Sequence, residues 1–248
     1  MPPFECVGFP FKTDDDFDTV VPDVIERMAT EARRLPCPAG YEGWSYRDPS
    51  GAGLIAYISR DAATGTRSLH CLKPTFWGGS RQDVAAGAFV EAEECPFCDV
   101  AKVEVLDGSG QVAYPATVRI SDPAFRRYNL GEGNRGKIQI TLFALELDPW
   151  KRRAQEGGHY RDLAEKAFYP TGNAGDPPRP EALVSGHVLQ AEKRRNELGN
   201  SEFVWARIAS LAAEFDVVIP TNLMAEAPKQ GSVLQVSARV YARWFAKL

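Results

Sequence analysis

Two cysteines separated by two residues are the clearest chemical pattern in this sequence. Cys95 and Cys98 form a Cys-x-x-Cys pattern, which supplies two of the four ligands that a tetrahedral zinc ion takes. No second Cys-x-x-Cys is present, so the other ligands would have to come from His70, Cys71 or Cys37. The sequence therefore indicates a zinc site at Cys95 and Cys98 that needs distant residues to complete it.

The same four residues, Cys95-Pro96-Phe97-Cys98, resemble the active-site sequence of glutaredoxin-like proteins, which implies thiol redox chemistry. That chemistry places the first cysteine at a helix N-terminus, where the pKa of its thiol is lowered. Here residues 100–106 alternate as in a strand, and the acidic residues Glu93, Glu94 and Asp99 would raise the pKa of a nearby thiol. Zinc is thus the stronger interpretation of the pair, and no other cofactor is predicted.

A basic run followed by alternating aromatic residues forms the second pattern. The residues concerned are Lys193, Arg194, Arg195, Phe203, Trp205 and Arg207. We expect the three basic residues to lie on a loop between two strands, and the last three to share one face of the next strand. Positive charge beside stacking rings is typical of proteins that bind single-stranded nucleic acid. Burial of Phe203 and Trp205 in the core is the alternative.

The first 80 residues predict an α+β unit in the order strand, helix, strand, strand, strand. Its helix follows Thr13, with Pro22 as an alternative starting point. The expected strands cover residues 4–11, 44–47, 54–59 and 68–72. This order, with the turn at residues 48–52, resembles one module of the vicinal-oxygen-chelate superfamily. The resemblance implies the topology alone, because residues 54–57 offer no metal-binding carboxylate and no second module follows.

The remainder of the sequence contains an internal duplication. Residues 87–93 match residues 186–192, and each copy continues with strand-like runs of which the last is opened by glycine, at 136–143 and 231–238. Each copy also has an irregular stretch before that last strand, which resembles the connection in an OB-fold barrel. The expected fold class is therefore α+β and mainly β, with a βαβββ unit followed by two related, small, OB-like β-barrels.

The composition restricts the class of protein but does not indicate a specific function. The chain of 248 residues has 44 % hydrophobic residues, five cysteines and a net charge of −4, which indicates a globular protein with reduced thiols. No apolar run reaches the roughly 20 residues of a membrane helix, so we expect a soluble, cytoplasmic protein without membrane contact.

The sequence divides into four expected segments, at residues 1–80, 81–149, 150–182 and 183–248, of which the third contains a helix and a Pro/Gly-rich linker. Since no nucleophile or acid–base pattern is recognisable, we expect a non-catalytic protein that binds a protein partner or self-associates. Binding of single-stranded nucleic acid and a zinc- or thiol-dependent function are the alternatives.

Overall fold

The computed structural model describes residues 3–11, 13–37, 39–90, 100–121, 133–148 and 164–247. The helices are the 3-10 helix Phe4–Val7 and α1 (Asp14–Glu31). The strands are β1 (Arg33–Leu35), β2 (Tyr41–Arg47), β3 (Ala52–Arg60), β4 (Arg67–Phe76), β5 (Gln82–Val90), β6 (Val100–Leu106), β7 (Val112–Ile120), β8 (Arg135–Leu147), β9 (Ala167–Tyr169), β10 (Glu181–Asn196), β11 (Ser201–Ala209), β12 (Glu214–Pro220) and β13 (Val233–Lys247). The mainly β class is confirmed. Within these residues no helix is long and apolar enough to cross a membrane.

The first element is a 3-10 helix, so the strand expected at residues 4–11 is wrong. The backbone N–H of Gly8 donates to the carbonyl of Glu5 at 3.1 Å, and that of Phe9 donates to Phe4 at 3.2 Å. Gly8 has a φ of +72°, a left-handed conformation that favours glycine and ends the 3-10 helix. A Cβ at this position would lie 2.7 Å from Cβ of Asn196, so the segment also packs closely on the large sheet.

Helix α1 begins at a reciprocal cap. The Thr13 hydroxyl accepts from the backbone N–H of Asp16 at 3.1 Å, and the Asp16 carboxylate accepts from the N–H of Thr13 at 3.0 Å. Pro22 lies within the helix, so the alternative start at Pro22 is wrong. Four antiparallel strands in the order β1-β2-β3-β4 follow and form a small sheet.

The other nine strands form a sheet that closes on itself. Its order is β11-β12-β8-β5-β6-β7-β13-β10-β9, and an additional pairing of β11 with β10 closes the ring. A pairing between β8 and β13 crosses this ring and divides it in two. We call β5, β6, β7, β8 and β13 the first ring, and β8, β10, β11, β12 and β13 the second ring. The long strands β8 and β13 therefore belong to both.

Each ring contains four antiparallel pairings and one parallel pairing. The parallel pair is β7 with β13 in the first ring and β12 with β8 in the second. The side chains that point into both rings form a single apolar cluster, which includes Val103, Ile140, Leu142, Ala206 and Val240. Because one cluster fills both rings, the β8–β13 ribbon is the centre of the large sheet.

The expected segment 81–149 contains β5, β6, β7 and the long strand β8. The expected segment 183–248 contains most of β10, together with β11, β12 and the long strand β13. The division of the chain into those segments stays a prediction. In the segment 150–182, residues 150–163 lie outside the described part, so most of the helix expected at residues 160–168 is not described. Ala167–Tyr169, at the end of that helix, is instead the edge strand β9.

The N-terminal elements cover part of the second ring from outside. Successive residues of a strand face opposite sides, so Val204 and Ala206 face the interior of the ring and Phe203 and Trp205 face outward. A second apolar cluster fills this contact. It contains Phe4, Phe9, Phe11, Leu54 and Phe76 from the N-terminal side and Phe143, Phe203, Trp205, Val218 and Tyr241 from the large sheet.

Candidate functional site

The cross-strand register brings polar residues into one row on the outer face of the second ring. Arg207 of β11 lies opposite Asp216 of β12, and Asp216 lies opposite Thr141 of β8. Thr141 in turn lies opposite Tyr241 of β13. These pairs are neighbours on one face because directly opposed residues of adjacent strands point to the same side. The row runs along the margin of the apolar contact described above.

Asp216 is the centre of the polar row and is fully buried. Its Oδ1 accepts from the indole N–H of Trp205 at 2.9 Å, and its Oδ2 accepts from the backbone N–H of Ser80 at 2.9 Å. The side-chain amide of Gln139 donates to Oδ2 at 3.2 Å. A buried carboxylate loses its hydration, and these three donors compensate for that loss.

Arg207 supplies the neighbouring positive charge. Its Nη2 lies 3.6 Å from Oδ1 of Asp216, and its side chain keeps 26 % of its surface exposed. The buried Nε of Arg207 has no hydrogen-bond partner among the described residues. Asp216 therefore holds Arg207 in place while part of the Arg207 side chain stays accessible to a ligand.

Two glycines let the chain pass over this ion pair. A Cβ added to Gly78 would collide with the Asp216 carboxylate, and one added to Gly79 would collide with the guanidinium of Arg207. The close approach places Ser80 and Arg81 beside the buried carboxylate. The sequence 77–81 is thus fixed against the second ring by backbone contact.

A column of alternating rings and guanidinium groups extends outward from this point. The guanidinium carbon of Arg243 lies 4.4 Å from the ring centroid of Trp77 and 5.6 Å from that of Phe245. Arg81 lies 3.7 Å from the Phe245 centroid. We call Trp77, Arg81, Arg207, Arg243 and Phe245, together with Asp216, the arginine–aromatic cluster. Stacking on rings fixes the planes of Arg81 and Arg243.

The cluster is positively charged although the whole chain carries a net charge of −4. Three arginines and one aspartate give it a net charge of +2. Burial lowers the pKa of Arg81, Asp216 opposes that change, and the charge of Arg207 adds to it. A guanidinium keeps its proton despite such a shift, because its ordinary pKa lies far above neutrality. The cluster can therefore attract and hold an anion.

The predicted basic residues lie in a strand, so their expected placement on a loop is wrong. Strand β10 runs antiparallel to β11 as far as the pair Asn196–Ser201, which leaves only a tight turn between them. Lys193 pairs with Glu202 at 2.9 Å, and Arg195 donates to the side chain of Asn200 at 2.5 Å. Both residues are exposed.

Arg194 has a different environment from its two neighbours. Its guanidinium lies 4.0 Å from the ring centroid of Trp205 and donates to the carbonyl of Ser50 at 2.7 Å. It therefore joins the small sheet to the second ring.

Phe203 and Trp205 share a strand face as predicted, but that face is covered. Their exposed fractions are 0 % and 3 %, because the N-terminal elements pack on them. Lys193, Arg194, Arg195, Phe203 and Trp205 are thus close together without forming an open basic and aromatic surface. Their binding of nucleic acid stays a prediction.

The predicted metal ligands Cys95 and Cys98 lie outside the described residues. Among the residues that are described, no group of three or more His, Cys, Asp or Glu side chains could hold a metal ion. Cys37 follows β1 and Cys71 lies on β4, at opposite edges of the small sheet, so they do not converge. Zinc at Cys95 and Cys98 stays a prediction: one zinc per chain in native mass spectrometry would support it, and a metal-free chain would contradict it.

Sequence reasoning missed Arg81, Asp216 and Arg243. The alternation at 203–207 identified Arg207, but nothing local connects it with residues 77–81 or with the last strand. The available signal was the glycine pair after Trp77, because adjacent glycines mark close approach of the backbone to another group. No family model matches the chain, and no curated protein matches it.

Proposed function

We propose that this protein is a non-catalytic binding protein of tandem β units that holds an anionic group of its partner at the arginine–aromatic cluster. The observation that carries this proposal is the ordered placement of three guanidinium groups, since Arg207 is paired with the buried Asp216 carboxylate, Arg81 lies over Phe245 and Arg243 lies over Trp77. Guanidinium groups that are ordered in advance lose little side-chain entropy when an anion binds. A cytoplasmic location is part of the proposal, supported by free thiols at Cys6, Cys37 and Cys71.

The pairing scheme supports an OB-like architecture with an internal repeat. In the second ring, β10 pairs with β11 and β13, β11 pairs with β12, and β12 runs parallel to β8. In the first ring, β5, β6, β7 and β13 repeat that scheme around β8. Five strands in a closed, Greek-key order are typical of OB-like barrels. In a simple tandem repeat, each barrel would be built from the strands of one unit. We propose that here the last strand of each unit, β8 or β13, belongs to both rings.

Matched glycines support the same repeat. Gly87 of β5 and Gly186 of β10 occupy corresponding positions in the two sequence copies. A Cβ at Gly87 would lie 2.8 Å from the carbonyl oxygen of Lys102, and one at Gly186 would lie 2.6 Å from that of Ala209. Each glycine therefore lets the first strand of its unit approach the second strand, next to a bulge.

Calorimetry with an inorganic polyanion tests the proposed function. We expect tripolyphosphate to bind the full-length chain at low salt, and Arg207→Gln to weaken binding at least fivefold because a fixed guanidinium is lost. The matched control is Arg135→Gln, which removes an exposed arginine whose hydrogen bond among the described residues is to the carbonyl of Gly110. Arg81→Gln serves as a second variant, since Arg81 is exposed and its replacement leaves the buried carboxylate in place. Equal affinity in wild type and both cluster variants would contradict the proposal.

A further inference from the structure

We infer that the arginine–aromatic cluster takes a nucleotide unit, a phosphate joined through a sugar to a planar base. This inference rests on the anion-binding function proposed above and specifies its ligand. It concerns Trp77, Arg81, Arg207, Arg243 and Phe245, of which Arg207 alone belongs to the basic and aromatic pattern predicted from the sequence.

The column of planar groups provides the stacking half of such a site. It runs in the order Trp77, Arg243, Phe245, Arg81, with each guanidinium lying over a neighbouring ring. Its inner end is fixed, because the ring of Trp77 lies directly against Gly53 of the small sheet. Its outer end is Arg81, which is exposed and carries a flat group with one face on Phe245. Bases stack on guanidinium planes as they do on aromatic rings, so a base extends the column by one layer.

The donors at the edge of the column provide the phosphate half. Arg81 donates to the carbonyls of Gly78 and Ser80 through Nη1, at 3.2 and 2.5 Å. Within the described parts of the chain, no hydrogen bond of its Nε or Nη2 is seen, so both can donate to phosphate oxygens at the edge of the plane whose face receives the base. The guanidinium of Arg207 packs against Gly79, next to the Gly78 carbonyl that Arg81 bonds, so a second guanidinium lies beside the same short segment. Phosphate oxygens accept well from two guanidinium groups in fixed orientation.

The position of the cluster leaves part of it accessible to a ligand. Arg207 and Asp216 lie opposite each other on β11 and β12, and the side chain of Arg207 keeps 26 % of its surface exposed. The apolar part of this face is covered by the N-terminal elements, so the polar margin is the part that a ligand can reach.

Anisotropy and calorimetry on the full chain test the inference with three probes. The probes are a labelled oligo(dT) of about twelve nucleotides, ADP and tripolyphosphate. We expect Arg81→Gln, which removes both charge and plane, to weaken oligo(dT) or ADP binding about tenfold. Arg81→Lys keeps the charge but loses the planar group, so we expect it to weaken nucleotide binding roughly threefold and tripolyphosphate binding by a smaller factor, because a nucleotide loses both the stacking plane and the paired donors. Arg135→Gln, at an exposed arginine outside both surfaces, is the matched control and leaves all affinities unchanged, and Arg195→Gln tests the β10 surface.

The outcomes separate the two proposals and the two sources of nucleotide. Tight ADP binding identifies a free nucleotide, whereas binding of oligo(dT) alone identifies single-stranded nucleic acid, and both support the inference. Equal behaviour of Arg81→Lys and wild type on every probe overturns the nucleotide and leaves anion binding intact. Failure of all three probes overturns both proposals. Sensitivity of oligo(dT) binding to Arg195→Gln but not to Arg81→Gln overturns this site in favour of the β10 surface.

Discussion

At the scale of single residues, Asp216 determines how the arginine–aromatic cluster is built. Its carboxylate joins β12, β11, β8 and the segment before β5 through Trp205, Gln139 and Ser80. A buried charge with several donors is costly to disturb, because loss of the acceptor leaves all of those donors buried and unpaired. Asp216 therefore stabilises the fold and positions the side chain of Arg207.

We expect Asp216→Ala to destabilise the protein by about 3–5 kcal/mol, measured as the free energy of unfolding in urea. The matched control is Asp83→Ala, which breaks an exposed ion pair with Lys137 and changes stability by about 1 kcal/mol or less. Losses of similar size in both variants would show that the buried network contributes little.

Asp48 has a comparable structural role at the other contact between the sheets. It is buried, and its two oxygens accept from the backbone N–H groups of Ser50 at 2.8 Å and Glu197 at 2.9 Å. It thereby connects the β2–β3 turn to the β10–β11 turn. Together with Arg194 it explains why the small sheet has one defined position on the large one.

At the scale of elements, strands β8 and β13 carry the architecture. Each has one edge paired along most of its length with the other, and an opposite edge shared between two further strands. Long strands are required because each must extend through both rings. The bulges in β5 and β10 occur where the first strand of each unit bends towards its second strand.

The glycine at the β10 bend provides a test of this element. We expect Gly186→Ala to cost about 1–3 kcal/mol in urea unfolding, since its Cβ would press on the carbonyl of Ala209. Gly108→Ala is the control, because Gly108 has no atom within 4 Å of the added Cβ. If the two variants unfold alike, β10 and β11 do not need the close approach.

At the scale of the whole molecule, the shared strands make the two rings interdependent. A fragment that ends at residue 148 keeps β8 but lacks β13, and a fragment that begins at residue 164 has the reverse deficit. Each fragment would expose the interior face of its long strand and leave a ring open. The apolar cluster that fills both rings would also be divided.

We therefore expect fragments 1–148 and 164–248 to be unfolded alone and to form a folded one-to-one complex when refolded together. Circular dichroism and sedimentation of each fragment and of the mixture would measure this. A cooperative thermal transition in either isolated fragment would show that its ring folds without the other fragment, as the division into separate segments predicts.

The sequence by itself determined the mainly β class, the helix after Thr13 and the alternation that puts Phe203, Trp205 and Arg207 on one face. These features are local, because capping and strand periodicity depend on residues a few positions apart. It also indicated the paired runs around Gly87 and Gly186, whose strands carry the same pairing scheme.

Only the tertiary structure decided which strands pair with each other and what covers each strand face. Alternation distinguishes the two sides of a strand, but it does not say which side faces the interior of a ring or whether another element covers the other side. The burial of Phe203 and Trp205 could therefore be stated only as an alternative. The arginine–aromatic cluster joins residues 77–81, 207, 216 and 243–245, which no local pattern connects. Their proximity follows from a parallel pairing and a crossing ribbon, and such contacts depend on chain closure over more than a hundred residues.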